Sequence, residues 1–238
     1  MDDVTIILQG RINPACLERW ITTYFDWNVV VSTWTKVDGH NNKINISSIP
    51  SKWSVLSLPQ PQKTIDIGTL QFQIQSTTNA FPHVNSEYLI KVRGDEFYSN
   101  LHRFVREMKY KKEQIICSDI YYRGFQKSYF HISDHLIGGT TNNVKAMFEN
   151  TFKQISDGWK MTSNFDGSSN PETYLGFGFV SYKEKILKEN HEHYLSQEIS
   201  EPLFEKWFDN YDLQKLSPYL VSCQRNSFDV KYNCTPNF

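Results

Sequence analysis

The stretch YLIKVRGDEFYSN, residues 88–100, begins apolar and then delivers Lys91, Arg93, Asp95 and Glu96 within six residues. A buried strand does not end in charges of both signs unless partners or a ligand meet them. On a pleated strand residues 91, 93 and 95 fall on one face. Asp95 and Glu96, just past the strand end, stand where carboxylates can reach a divalent cation. Mg²⁺ and Mn²⁺ prefer hard oxygen ligands and often take only one or two carboxylates together with phosphate oxygens. Lys91 and Arg93 would then balance the remaining phosphate charge, so the pattern suits a metal-bound diphosphate. An ion-paired strand end with no ligand accounts for the same residues, and spacing alone leaves both readings open.

Two further constellations carry candidate chemistry. In FHISDHLIGG (130–139) Asp134 and His135 interrupt apolar residues, and Gly138-Gly139 lets backbone approach a ligand closely. A carboxylate there can act as general base toward an acceptor hydroxyl; a buried Asp that caps or pairs with an arginine is the alternative. In NPETYLGFGF (170–179) Pro171 and Glu172 are good chemistry for a helix start, and Glu172 can equally bind sugar hydroxyls. HEH at 191–193 offers metal ligands or a solvated face. The sequence holds no G-x-x-x-x-G-K-[ST], no G-x-G-x-x-G after its first strand, no G-x-S-x-G and no H-E-x-x-H, which disfavours P-loop kinases, dinucleotide oxidoreductases, serine hydrolases and zincins.

The elements that must position these groups alternate along the chain. VTIILQG (4–10) has the profile of a buried central strand, and NPACLERWITTYF follows as a helix capped by Asn13 with Pro14 in its first position. NVVVSTW (28–34) is a β-branched second strand, which implies a right-handed parallel crossover. Residues 36–64 read as loop with one short strand near WSVLSL. The spacing in 67–81 predicts a helix with Leu70, Ile74, Thr77 and Thr78 on one face. EYLIKVR (87–93) is the third core strand, and EFYSNLHRFVREM a helix after it. EQIICS (113–118) and YFHIS (129–133) read as strands; NNVKAMFENTF and EPLFEKWFDNY read as helices. The expected fold is α/β: one open, mostly parallel Rossmann-like sheet flanked by helices, with ligands outside the carboxyl ends of its strands. Residues 1–180 form the expected core and 181–238 a helical C-terminal extension packed on it.

The totals fit one such domain of 238 residues. With 25 basic and 26 acidic residues there is no charge excess to recruit a nucleic-acid backbone. Cys16, Cys117, Cys223 and Cys234 lack metal-site spacing and read as reduced thiols, so the expected location is the cytoplasm, where the Asn45 and Asn233 sequons would be chance matches. The N-terminal residues read as neither signal peptide nor span, and no apolar run approaches the roughly 20 residues of a membrane helix. A lipid-linked acceptor would therefore be met by peripheral attachment.

The blocks TIILQGRI, VVVSTW, LQFQIQSTTNAF, YLIKVRGDEF, FHISDHLIGG and PETYL occur in the order, and near the spacing, of the WavE-type lipopolysaccharide-synthesis family. The sequence resembles these small glycosyltransferases of the GT-A type over roughly residues 4–180. The resemblance implies transfer of a sugar from a UDP- or GDP-sugar to a glycan or glycolipid acceptor, with Mn²⁺ or Mg²⁺. It places Lys91, Arg93 and Asp95 at the family's K-x-R-x-D strand end. The adjacent carboxylates Asp95 and Glu96 stand on the metal where other GT-A enzymes have an alternating Asp-x-Asp. Gln9, Gly10, Arg11, Ser32, Thr33 and Gln75 would line the nucleotide, Asp134 would be the catalytic base, and His135 and Glu172 would face the acceptor. A sugar nucleotidyltransferase and a non-catalytic carbohydrate- or nucleotide-binding protein are the rival readings. The first normally carries a Gly-rich basic loop that LQGRINPA lacks; metal-dependent nucleotide affinity would set the transferase apart from the second.

Overall fold

In a computed structural model, residues 2–221 are described apart from 38–39, 42–43, 45–48, 65–66, 121–127, 162–169 and 217–218. Cys223, Cys234 and both sequon asparagines lie outside the described residues. The first strand, β1 (Val4–Gln9), is buried at every position, as its unbroken apolar run requires. Helix α1 (Pro14–Tyr24) starts as expected: the Asn13 side chain accepts from the backbone N–H of Ala15 and Cys16, and Pro14 occupies the first turn. Then come β2 (Asn28–Trp34), the small β3 (Lys36–Val37) and β4 (His40–Asn41) pair, and β5 (Ser54–Leu58). Helix α2 (Leu70–Ala80) leads to β6 (Tyr88–Arg93), a short β7 (Glu96–Tyr98), α3 (Leu101–Tyr110) and β8 (Ile115–Ser118). The rest comprises β9 (Leu136–Thr140), α4 (Thr141–Ser156), α5 (Pro171–Glu184), α6 (Gln197–Trp207), β10 (Phe208–Tyr211) and β11 (Tyr219–Val221), the last paired with β7.

Seven strands form one sheet in the order β10-β8-β9-β6-β1-β2-β5, and only β9 runs against the others. Strand alternation divides the core into two apolar layers. Ile6, Leu8, Val29, Val31, Ile90 and Val92 face the side covered by α1 and α3, while Ile7, Val30 and Leu89 face α2, α4 and α5. Lys91 and Arg93 share the pleat of Leu89 and so point toward the α2 side. The chain leaves β1 for β2 on one side and returns through α2 to β6 on the other. The crevice between the ends of β1 and β6 is thus the switch point of an open α/β sheet, where ligands of such sheets bind.

Three expectations change. YFHIS is not a strand: residues 129–135 are turn and irregular backbone, and the strand is the next segment, Leu136–Thr140. Gly138 and Gly139 accordingly serve packing, not ligand approach. A Cβ on Gly138 would lie 2.5 Å from Phe104 and 2.9 Å from Met108, so the glycine lets α3 press onto the sheet. EFY is not the start of α3 but β7. Finally, the C-terminal region is not only helical, because FDNY forms β10 and extends the main sheet beside β8. Among the described residues no helix is long and apolar enough to cross a membrane.

Candidate functional site at the switch point

The turns that follow β1 and β6 are laced together by backbone. Gly94 N–H donates to Gln9 O (2.7 Å), and Asn13 N–H donates to Gly94 O (3.0 Å). A Cβ on Gly94 would sit 2.3 Å from Ile12 Cδ1 and 2.8 Å from Arg11 O, so only glycine lets the two turns lie this close. Gly10 has φ +87° and donates to Ser32 O (3.0 Å). Thr33 Oγ1 donates to Gly10 O (2.6 Å), Ser32 Oγ to Ser76 O (2.5 Å), and Gln9 Nε2 to Ser76 Oγ (2.7 Å). These bonds tie the rim of the sheet to α2 and leave an open cleft of about 200 Å³. Arg11, Arg93, Asp95, Asp134, Gln73 and Trp34 line it, together with Gln9, Gly10 and the first turn of α2.

Behind the cleft lies a continuous charge network. Arg93 holds Asp95 with a two-point fork, Nε to Oδ1 and Nη2 to Oδ2, both 3.0 Å. Its Nε also lies 3.4 Å from Glu96 Oε1. Glu96 is wholly buried, with Tyr98 Oη donating to Oε2 (2.8 Å) and His135 Nδ1 to Oε1. Asp134 precedes the antiparallel β9 and therefore reaches the same rim. Its Oδ2 accepts from Gln73 Nε2 (2.5 Å), and its Oδ1 is 3.7 Å from His135 Nε2. The fully buried Lys91 ammonium donates to the Asp134 backbone carbonyl.

The electrostatics follow from these neighbours. Burial disfavours the Asp134 anion, but Lys91, His135 and Arg93 together with the Gln73 hydrogen bond outweigh it and hold the carboxyl well below its usual range. Burial likewise opposes charge on Glu96 and His135, yet each is won back by the other. The Glu96 pKa is lowered and the His135 pKa raised, with Arg93 and Tyr98 aiding the first and Asp134 the second. Burial lowers the Lys91 pKa, and Asp134, Glu96 and Asp95 only partly restore it.

A pH dependence follows with a defined sign. A raised His135 pKa gives stability that is complete below the unfolded value of 6.5 and is lost as pH rises through the higher folded pKa. A lowered Glu96 pKa gives stability present above 4.5 that is lost as pH falls through the folded pKa. Urea unfolding at a series of pH values is expected to show native protein weakening on the alkaline side of 6.5, and His135→Gln a flatter profile there. Parallel profiles would contradict the pairing.

The structure brings most of the sequence candidates together. Gln9, Gly10, Arg11, Arg93, Asp95 and Asp134 line the cleft, with Lys91 directly behind it. Ser32 and Thr33 do not line it, because their hydroxyls are engaged in fixing the rim. Gln75 is replaced by Gln73: the helix turns residue 73 to the cleft, and residues two apart lie on different faces. His135 is buried and paired, so it does not face an acceptor. Glu172 sits in the first turn of α5, with Oε2 3.9 Å from His131 Nε2, outside the cleft lining. His191 lies in a 3₁₀ turn with its ring nitrogens against the carbonyls of Lys188 and Lys160. Sequence reading missed Gln73 and Trp34. A polar residue inside the amphipathic 67–81 pattern, and the aromatic that ends β2, were the available signals.

The two adjacent carboxylates are placed differently. Both Asp95 oxygens face Arg93, and both Glu96 oxygens are engaged inside the core. Among the described residues no three His, Cys, Asp or Glu side chains are grouped to hold a metal. Of the Asp95-Glu96 pair read from the sequence, Asp95 reaches the cleft while Glu96 is turned into the core, because adjacent residues here point opposite ways.

No family model and no curated protein matches the sequence. Among solved structures the chain is similar to HddC from Yersinia pseudotuberculosis, with 13% identity over 60% of this chain and 78% of that one, and a TM-score of 0.38. A superposition this loose carries no argument about activity.

Proposed function

We propose that the protein is a glycosyltransferase that binds a nucleoside-diphosphate sugar in the switch-point cleft. The observation that supports the reading is the convergence of two arginines, Arg11 and Arg93, with two carboxylates, Asp95 and Asp134, at the place where an open α/β sheet takes its ligands. Arg11 and Arg93 suit the diphosphate, whose charge grows as the glycosidic bond breaks; cationic groups aimed at that charge favour the transition state over the ground state. Trp34, otherwise buried, contributes an apolar patch of the cleft wall. Asp134, oriented by Gln73, takes the proton from the acceptor hydroxyl late in the attack. The cations around it make it a weak base that acts once the hydroxyl has become acidic in the transition state. His135 is turned into the core with its Nδ1 on Glu96, so it is no rival base. The cleft is smaller than the about 300–1,000 Å³ of most ligand sites and fits the reacting centre of a donor rather than the whole molecule.

The experiment is hydrolysis of a panel of UDP- and GDP-sugars by the purified protein, with and without Mn²⁺. Slow release of nucleoside diphosphate from at least one donor is expected. No turnover of any donor under either condition overturns the reading and leaves a binding protein on the same fold.

A further inference from the structure

We propose that Asp95 is an internal stand-in for the anionic ligand of the cleft, occupying the Arg93 fork until a diphosphate displaces it. The inference rests on the reading that the cleft takes a diphosphate, and it adds what that group competes with for Arg93. The Arg93–Asp95 contact uses the planar two-nitrogen edge by which guanidinium binds carboxylate and phosphate alike, at 3.0 Å on both sides. A ligand phosphate competes for the same atoms.

Three observations make this pair exchangeable rather than structural. Both residues line the cleft, with side chains 34% and 18% exposed, whereas Glu96 one residue later is 0% exposed. Among the described residues Asp95 accepts hydrogen bonds from Arg93 alone, two positions away, so releasing it breaks no long-range tie. Glu96 stays 3.4 Å from Arg93 Nε from inside the core, so the guanidinium keeps its orientation when Asp95 leaves. Arg11 lines the same cleft and supplies a second cation for the incoming group. An internal carboxylate on the fork lowers apparent ligand affinity by the fraction of time the fork is taken. Removing its charge should therefore tighten anion binding, the opposite of what loss of a simple ligand-holding residue does.

The test is calorimetric titration of inorganic pyrophosphate, in buffer with EDTA, into the native protein, Asp95→Asn, Asp95→Ser, Arg93→Gln and the Arg93→Gln/Asp95→Asn double variant. Circular dichroism checks that each is folded. Both Asp95 variants are expected to bind pyrophosphate about tenfold tighter than native protein, and the double variant to lose that gain. Equal or weaker binding by folded Asp95 variants, or a gain that survives without Arg93, overturns the proposal. If the gain is seen but no nucleotide sugar is turned over, the exchange stands and the transferase reading falls. If donors are turned over without the gain, the reverse holds.

Discussion

Glu96→Ala is expected to lower the free energy of unfolding by about 3–5 kcal/mol, the range for removing one partner of a buried ion pair. The size follows from what the truncation strands. Glu96 is fully buried, and its two oxygens take His135 Nδ1 on one side and Tyr98 Oη on the other. Alanine removes the carboxylate that pairs with the buried His135 ring and accepts from the fully buried Tyr98 hydroxyl. The ring would lose its proton instead of paying the full penalty, which places the effect inside that range rather than above it. The segment is also a structural junction, because Trp20 Nε1 donates to Glu96 O (2.6 Å) and Tyr24 Oη to Tyr98 O (2.7 Å), fastening α1 to β7. For a chain of this size the loss corresponds to a fall in Tm of about 6–20 °C. Urea unfolding of Glu96→Ala beside Glu96→Gln checks it. A loss below about 1 kcal/mol in the alanine variant would show that Glu96 is not the ionised partner of His135.

Asp134→Asn is expected to reduce donor turnover by about 10²–10⁴-fold, the usual contribution of a positioned general base. The amide keeps the shape of the carboxylate and can still meet Gln73, and Lys91 retains its acceptor because it binds the Asp134 backbone carbonyl. What is lost is the proton acceptor. The well-lowered pKa means that the native carboxylate stays ionised across neutral pH, so its own titration does not shape the activity profile there. Measuring kcat and KM separately distinguishes a base from a binding group: kcat should fall while KM moves little. An unchanged kcat would remove Asp134 from the reaction.

The parts of the fold written in local chemistry were legible from sequence. An unbroken apolar run gives β1, the Asn13-Pro14 start gives α1, and the apolar spacing of 67–81 gives α2. Order and alternation then gather the ends of β1, β2 and β6 on one rim, and the antiparallel entry of β9 adds Asp134. Properties set by tertiary partners were not legible. Nothing local tells Asp95 from Glu96, yet one faces the cleft and the other closes a buried network with His135, which is 39 residues away along the chain. Ser32 and Thr33 look free in sequence because their acceptors, Ser76 O and Gly10 O, belong to other elements. The misplaced strand has a similar origin. YFHIS and HLIGG are both short apolar segments, and pairing with β6 and β8, which glycine permits by admitting α3, selects the second.

Donor hydrolysis across the nucleotide-sugar panel, run on native protein and on Arg11→Gln, tests the central claim most directly. Arg11 is exposed and lines the cleft, and among the described residues its side chain makes no hydrogen bond within the fold, so its loss reports on the ligand and not on folding. The account predicts release of nucleoside diphosphate from at least one donor by the native protein, and a rise in KM of about tenfold or more in the variant. Turnover that ignores the loss of Arg11, or no turnover at all, would contradict it.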